Sequence, residues 1–258
     1  MCLLALAWRT DPRWPLVLIA NRDEAYARPT ARAARWAEAP DVVGGQDLEF
    51  GGAWLGVSDQ GRLAAVTNVR RPLEQAPPRE SRGLLTRRFL TGELDRAAME
   101  VLDLDRFNPF NLVVAQAHEA VFITNQPSIE RHRLAPGVHG LSNGPLEPPW
   151  PKTRRAMAAV SDWLKAGVPD LGPLFSLLAD ETPASDADLP DTGVGLERER
   201  RLSACFLRGE TYGTRASTVI TVDDQGRGQL VERSFGLGGA PAGEATVGFN
   251  WPGEGAAL

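Results

Sequence analysis

The second residue of the chain is a cysteine, one of two among 258 residues. Removal of Met1, which is common when the next side chain is small, would leave Cys2 with a thiol and a free α-amine on one Cα. The unperturbed pKa is about 8.5 for a thiol and about 7.7–8.0 for an α-amine, so the amine can act as general base near neutral pH. This position therefore predicts nucleophilic chemistry. The alternative is a small buried side chain at a strand end.

A hairpin is expected to bring polar partners to this cysteine. The apolar runs CLLALAW and PLVLIA flank a DP turn signal, which predicts two buried strands, the second of which ends in ANRDE. Pairing would return ANRDE to Cys2, where Arg22 would favour the thiolate and Asp23 or Glu24 could hold the α-amine. In a regular strand Arg22 and Glu24 share a face and Asp23 points away, whereas a turn at Arg22 would change this. The choice of carboxylate stays open, and the alternative is a solvated loop of charges.

The rest of the chain alternates blocks of strands with blocks of helices. Short strands such as AWLGVS, RLAAVTN and FNLVVAQ lie on either side of helical patterns in SRGLLTRRFLTG and ELDRAAMEVLDLD. Further helices are predicted in PPWPKTRRAMAAVSDWLKAG and LGPLFSLLADE, before the hairpin RASTVITVDDQGRGQLVERSF and the strand EATVGFNW. This order predicts an antiparallel α+β fold of two stacked sheets with helices outside. PLEQAPPRE and ETPASDADLPDTG are expected to be loops, so residues 1–258 are predicted to form a single domain.

Composition excludes several classes of function. The net charge is −5 and arginine is spread along the chain, which disfavours a nucleic-acid or anionic-membrane surface. No apolar run is long enough for membrane insertion, CLLALAW lacks the features of a signal peptide, and two cysteines fit a reducing cytoplasm. His118, His132 and His139 are not spaced as metal ligands, and no phosphate-binding or dinucleotide-binding glycine motif is present, so we expect neither metal nor cofactor.

Several blocks together resemble one family. Cys2, ANRDE, RPT, GGAWLGVSDQGRLAAVTN, FNLVVA, GLSN with the following PW-K, and YGTRASTVITVD occur in an order that resembles the NRDE-motif family, also called the transport and Golgi organisation protein two family. That family is similar to N-terminal nucleophile hydrolases of the choloylglycine hydrolase and penicillin V acylase type. The resemblance implies a four-layer αββα sandwich of two antiparallel sheets between helical layers. It also implies cleavage of amides other than peptide bonds.

The family pattern assigns roles to the residues around the cysteine. Cys2 matches the nucleophile and Arg22 the arginine beside it. Asp23 most nearly matches the aspartate that holds the α-amine, but in the acylases that aspartate stands three residues after the arginine, where this chain has Ala25. Glu24 therefore remains a rival to Asp23.

The resemblance also implies partners from distant parts of the chain. Asn68 resembles an oxyanion-site asparagine, Asn143 a second asparagine that touches the tetrahedral intermediate, and Arg215 a later arginine that supports the nucleophile region. Amide donors aimed at developing negative charge stabilise a transition state by about 3 kcal/mol. The alternatives are turn or strand-end asparagines and a structural ion-pair arginine. The remaining candidates are Asn21 as a supporting residue and Trp8 and Trp54 as pocket residues.

Two functions are consistent with these residues. The first is cysteine-dependent hydrolysis of an acyl amide of an unidentified small molecule, which requires removal of Met1 so that the amine is free. The second is non-catalytic binding and trafficking of haem, acyl-CoA or lipid in the same pocket, as the family's links to haem movement and secretory-pathway organisation imply. A haem role would call for an axial ligand such as Cys2 or a histidine. The oligomeric state is not predicted.

Overall fold

The computed structural model describes residues 2–71, 80–116 and 118–252. In chain order the strands are β1 (Cys2–Asp11), β2 (Trp14–Ala25), β3 (Thr30–Arg35), β4 (Val42–Asp47), β5 (Leu55–Ser58), β6 (Arg62–Asn68), β7 (Phe110–Gln116), β8 (Glu119–Thr124), β9 (Glu130–Leu134), β10 (Gly137–Leu141), β11 (Tyr212–Val222), β12 (Arg227–Phe235) and β13 (Pro241–Asn250). The helices are α1 (Gly83–Thr91), α2 (Arg96–Val101), α3 (Pro151–Ala166), α4 (Gly172–Leu178) and α5 (Leu196–Leu202).

The strands form two sheets. The first has the order β10-β1-β2-β11-β12-β13 and the second β3-β4-β5-β6-β7-β8-β9. Pairing between neighbouring strands is antiparallel in both sheets. Because β1 lies between β10 and β2, the start of the chain is an interior strand of the first sheet.

Three apolar clusters define four layers. One cluster fills the space between the sheets and includes Leu4 and Leu18 of the first sheet and Leu63 of the second. A second joins the outer face of the first sheet to α3 and α4, and a third joins the outer face of the second sheet to α1 and α2. Both faces of β1 and β2 are thus buried, which explains their continuous apolar runs. The predicted αββα sandwich is confirmed.

The local sequence explains where the long helices begin and end. Helix α3 starts at Pro151, whose missing N–H would have no intrahelical partner anyway, and ends at Gly167 with φ 67°. Helix α1 ends at Gly92 with φ 81°, a left-handed conformation that glycine adopts at low cost. The predicted hairpins β1–β2 and β11–β12 are also confirmed.

Some elements have only weak signals in the local sequence. Strands β3 (TARAAR) and β9 (ERHRL) are edge strands of the second sheet and carry few residues of high strand propensity. Helix α5 (LERERRL) buries only Glu199 and Leu202. The PLEQAPPRE stretch, residues 72–80, lies outside the described residues except for Glu80.

Candidate active site

The hairpin register places Cys2 beside Arg22. These residues are Cα partners in the β1–β2 pair, so the prediction that ANRDE returns to the cysteine is confirmed. Cys2 lies two residues before Leu4, which belongs to the cluster between the sheets, so the two side chains share a face. The half-buried Cys2 borders a cavity of about 80 Å³ that we call the Cys2 cavity. Other residues in its lining are Arg22, Asp23, Glu24, Arg28, Asp47, Trp54, Asn68 and Arg82.

Asn143 connects the start of β1 to the end of β6. The backbone N–H of Cys2 donates to Asn143 Oδ1 at 3.2 Å, and Asn143 Nδ2 donates to the backbone oxygen of Asn68 at 2.8 Å. The residue before Asn143 also contacts the cysteine, since Ser142 Oγ donates to the backbone oxygen of Cys2 at 2.9 Å. Asn143 is fully buried and does not line the Cys2 cavity. It therefore holds the cysteine nitrogen.

Asn68, unlike Asn143, lines the Cys2 cavity. It ends β6 and is half-buried. Its backbone oxygen is fixed by Asn143, so the position of the residue relative to Cys2 is set by one buried amide. A side-chain amide at this place can donate to an oxyanion that develops next to the thiol.

Arg22 is buried against an indole. The side chain exposes 6% of its surface, its guanidinium carbon lies 4.4 Å from the centre of the Trp54 ring, and Nη1 donates to Thr30 Oγ1 at 3.0 Å. Burial lowers the pKa of this guanidinium, and the negative charge of Glu24 opposes that shift. Since arginine keeps its charge even when buried, Arg22 supplies a positive charge beside the sulfur.

The two carboxylates lie on opposite faces of β2, as expected for a regular strand. Asp23 is buried, and its Oδ1 accepts a hydrogen bond from Thr214 Oγ1 at 2.7 Å. Burial raises the pKa of Asp23, while the positive charge of Lys152 and the Thr214 hydroxyl oppose this rise. Glu24 is half-buried, and its Oε1 accepts from the N–H of Ala25 at 2.9 Å. Asp23 is thus the carboxylate held in a dry, rigid position.

Asn21 and Arg215 support the surroundings of the cavity without lining it. Asn21 Nδ2 donates to the backbone oxygens of Leu178 and Cys205, each at 2.8 Å, which ties β2 to the helical layer. Arg215 Nη1 donates to the backbone oxygens of Ala25, Tyr26 and Arg28 at 2.9, 2.9 and 3.1 Å. Arg215 therefore fixes the turn that follows β2.

Trp8, proposed as a pocket residue, lies far from Cys2. It lies near the opposite end of β1, is 3% exposed, and lines a different cavity of about 450 Å³. A strand rises about 3.3 Å per residue, so six positions along β1 separate the two ends by roughly 20 Å. Trp54, in contrast, does line the Cys2 cavity.

Comparison with known proteins identifies the family. A sequence model described as "Transport and Golgi organisation 2" matches residues 1–236. The chain belongs to this family. A bovine Transport and Golgi organization protein 2 homolog is 35% identical over 93% of this chain and 95% of its own length, and a human homolog is 32% identical over 91% and 93%.

Two solved structures are more remotely similar to this member of the transport and Golgi organisation 2 family. One is the C2A mutant of conjugated bile acid hydrolase from Clostridium perfringens, at 12% identity and a TM-score of 0.47 over 96% of this chain and 92% of that one. The other is a Caenorhabditis elegans ortholog of N-acylethanolamine-hydrolyzing acid amidase, at 12% identity and 0.45 over 85% and 92%.

Near the Cys2 cavity the structure also places charged residues that the sequence analysis did not single out. Arg28 forms a bidentate pair with Asp47, at 3.1 and 2.6 Å, on one side of the Cys2 cavity. Arg82, at the start of α1, lies on another side, and burial lowers the pKa of its guanidinium. These residues are distant in sequence and meet only because the second sheet and α1 pack together.

Lys152 is a further residue that the sequence analysis missed. It is 1% exposed, and its Nζ makes no hydrogen bond to any residue that the structure describes. Burial lowers the pKa of this amine, while the charge of Asp23 opposes that shift. The helical spacing of the sequence indicates that Lys152 is buried, since it lies on the same face of α3 as the buried Ala156 and Val160.

Two negative findings concern the described residues alone. Among residues 2–71, 80–116 and 118–252, His, Cys, Asp and Glu side chains form no group of three or more that could hold a metal ion. Over the same ranges, every helix is too short or too polar to cross a lipid bilayer.

Proposed function

We propose that this protein is an amidohydrolase that uses Cys2 as an N-terminal nucleophile on a non-peptide acyl amide of a small molecule. One observation carries the proposal. The nitrogen of Cys2 is held by buried Asn143, and the same asparagine holds Asn68 on the wall of the Cys2 cavity. A nucleophile, its base and an oxyanion donor are thus arranged by a single side chain.

The proposed reaction begins with proton transfer within Cys2. Once Met1 is removed, the nitrogen that donates to Asn143 is the α-amine, and as a free base it takes the thiol proton. The sulfur attacks the carbonyl carbon, a C–S bond forms, and the electron pair of the C=O bond moves to oxygen. The side-chain amide of Asn68 donates to this oxyanion, and Arg22 stabilises the negative charge.

Collapse of the intermediate and hydrolysis complete the cycle. The C–N bond breaks while the α-ammonium returns its proton to the leaving amine, which leaves an S-acyl Cys2. Water then attacks the thioester and the α-amine accepts the water proton, after which the C–S bond breaks and the α-ammonium returns that proton to sulfur. The products are a carboxylic acid, an amine and the regenerated thiol.

The size of the site limits what it encloses. A cavity of about 80 Å³ is small beside the roughly 300–1,000 Å³ of pockets that enclose drug-sized ligands. The scissile amide would lie there, and the larger parts of a substrate would lie outside this cavity.

The alternative function is non-catalytic binding of haem, acyl-CoA or lipid, and one observation favours it. The sequence analysis expected such binding in the pocket of Cys2, whereas this observation concerns another cavity, of about 450 Å³ at the far end of β1, whose lining includes Trp8, Trp251 and His118. Aromatic walls and an imidazole are groups that suit haem. A haem titration followed by absorbance tests this: a spectral change lost in His118→Ala and kept in Cys2→Ala supports binding there, and no change in the wild-type protein excludes it.

The hydrolase proposal is tested by intact mass and alkylation of untagged protein. We expect a mass that lacks Met1 and one rapid addition of iodoacetamide, which is lost in Cys2→Ala. Cys205 is the matched control, because burial raises the pKa of its thiol to about 11 and Cys205→Ala should alkylate normally. Retained Met1 together with an unreactive Cys2 would contradict the proposal. Met1 itself lies outside the described residues.

A further inference from the structure

A second cavity, of about 250 Å³, adjoins the Arg22–Trp54 pair, and we call it the arginine cavity. Arg22 and Trp54 belong to the lining of both this cavity and the Cys2 cavity. Its other walls come from edge strand β3 of the second sheet and from β11, β12 and β13 of the first. The two cavities are therefore neighbours with a common cation–π wall.

Positive charge dominates this lining. Arg22, Arg32 and Arg215 contribute guanidinium groups, and Glu232 contributes the one carboxylate among the lining residues. The Glu232 carboxylate is already engaged, since Oε1 accepts from the N–H of Ala33 at 2.8 Å. Burial also raises the pKa of Glu232, which works against its negative charge. Even a fully ionised Glu232 leaves an excess of positive charge.

The guanidinium groups retain unused hydrogen-bond donors. Arg22 has one hydrogen-bond acceptor among the described residues, Thr30 Oγ1, although a guanidinium carries five N–H donors. Arg215 directs Nη1 at three backbone oxygens, whereas its buried Nε has no acceptor within the described part of the chain. Buried donors without acceptors are costly, and an anion entering the cavity would satisfy them.

We propose that the arginine cavity binds the anionic group, a carboxylate or a phosphate, of a small-molecule ligand whose other end lies toward Cys2. Planar guanidinium groups suit both anions, because two N–H donors can contact two oxygens at once. The inference goes beyond the proposed hydrolysis, since binding needs no bond to be cleaved. If the hydrolysis occurs, the anion in this cavity would place the amide next to the thiol.

Binding of matched probes tests this inference. Benzoate, phenyl phosphate and neutral benzamide share one ring, and their dissociation constants can be measured by calorimetry on the full-length protein. We expect at least one anion to bind roughly tenfold more tightly than benzamide, since charge-assisted hydrogen bonds are about twice as strong as neutral ones. The stronger of the two anions indicates whether carboxylate or phosphate is preferred.

A matched pair of variants locates the binding. Arg32→Gln removes a guanidinium at the exposed rim of the cavity, whereas Arg35→Gln removes one from the same strand outside its lining. We expect weaker anion binding in Arg32→Gln and unchanged binding in Arg35→Gln. Ser234→Leu, which fills part of the cavity without changing charge, should also weaken binding.

Three results would overturn the inference: no binding of either anion, equal affinity for benzamide, or equal losses in Arg32→Gln and Arg35→Gln. A Cys2 that resists alkylation would instead contradict the proposed hydrolysis and leave these affinities unaffected. The two failures are therefore distinguishable.

Discussion

The guanidinium of Arg22 stacks on the Trp54 ring at 4.4 Å, and this pair lines both the cavity at the Cys2 thiol and a larger, positively charged cavity. Arg22 is thus placed to act in both cavities. In the proposed reaction it would stabilise negative charge on sulfur, and in the proposed ligand complex it would donate to an anion in the arginine cavity. The pair is held from opposite sheets, since Arg22 belongs to β2 and Trp54 precedes β5.

Arg22→Gln should slow alkylation of Cys2 by iodoacetamide. The substitution removes the positive charge beside the sulfur, and a loss of about 1.4 kcal/mol of charge stabilisation corresponds to roughly tenfold in rate. Second-order rates at pH 7.5 provide the measurement. Arg62→Gln is the control, because Arg62 also lies over a ring, that of Phe89, but away from the Cys2 cavity. Equal rates in wild type and Arg22→Gln would refute the role of the charge.

Asn143→Ala should slow alkylation of Cys2 as well as destabilise the fold. It removes the acceptor of the Cys2 nitrogen and the donor to Asn68, and each lost buried hydrogen bond costs about 1–3 kcal/mol. Urea unfolding and alkylation rates measure the two effects separately. Asn125→Ala is the control, because Asn125 is also buried and its Oδ1 also accepts from a backbone N–H, that of Phe110. It should lose stability but keep Cys2 reactivity; equal reactivity in both variants would contradict the assignment.

Lys152→Met should raise the pKa of the buried Asp23 carboxyl. Burial raises the pKa of Asp23 and the Lys152 charge opposes that rise, so removing the lysine raises the pKa of Asp23 further. As pH falls, the Asp23 carboxylate is then lost at a higher pH than in the wild type. The measurement is the pH profile of the Asp23 carboxyl carbon resonance in NMR spectra. Lys165→Met, an exposed position near the end of the same helix, should leave the profile unchanged. An unshifted profile in Lys152→Met would show that Asp23 and Lys152 do not communicate.

Glu232→Gln should stabilise the protein at neutral pH. Burial raises the pKa of Glu232 in the folded state, so the folded state binds its proton more tightly than the unfolded state does. The ionised carboxylate therefore reduces stability above the folded-state pKa, and this cost disappears as pH falls below the unfolded value of about 4.3. Urea unfolding of both proteins at pH 7 and pH 4 provides the test. The gain should shrink at pH 4, and a gain that is the same at both pH values would contradict the prediction.

The parts of the fold that could be predicted are those with local signals. The hairpin β1–β2 follows from two apolar runs around a DP turn, and helix α3 from its proline start and glycine end. Strand β3 could not be recognised, because its Ala and Arg residues have low strand propensity. In β3 the backbone N–H of Ala33 donates to the side chain of Glu232. No local sequence pattern reveals this contact.

The candidate site was predictable in its residue types but not in its contacts. Cys2 and Arg22 meet because of one hairpin, so their proximity follows from strand pairing. Asn143 reaches the cysteine nitrogen only because β10 pairs with the other edge of β1. That pairing joins segments far apart in the chain, so no local pattern reveals the contact between Asn143 and the cysteine nitrogen.

The position of β1 inside its sheet has a consequence for how the protein is made. During synthesis β1 and β2 emerge first, yet their outer partners, β10 and β11, span residues 137–141 and 212–222. The β1–β2 hairpin is therefore made before either of its outer partners, and long-range pairing of this kind folds slowly. The nitrogen of Cys2 meets Asn143 only after the second half of the chain has begun to emerge.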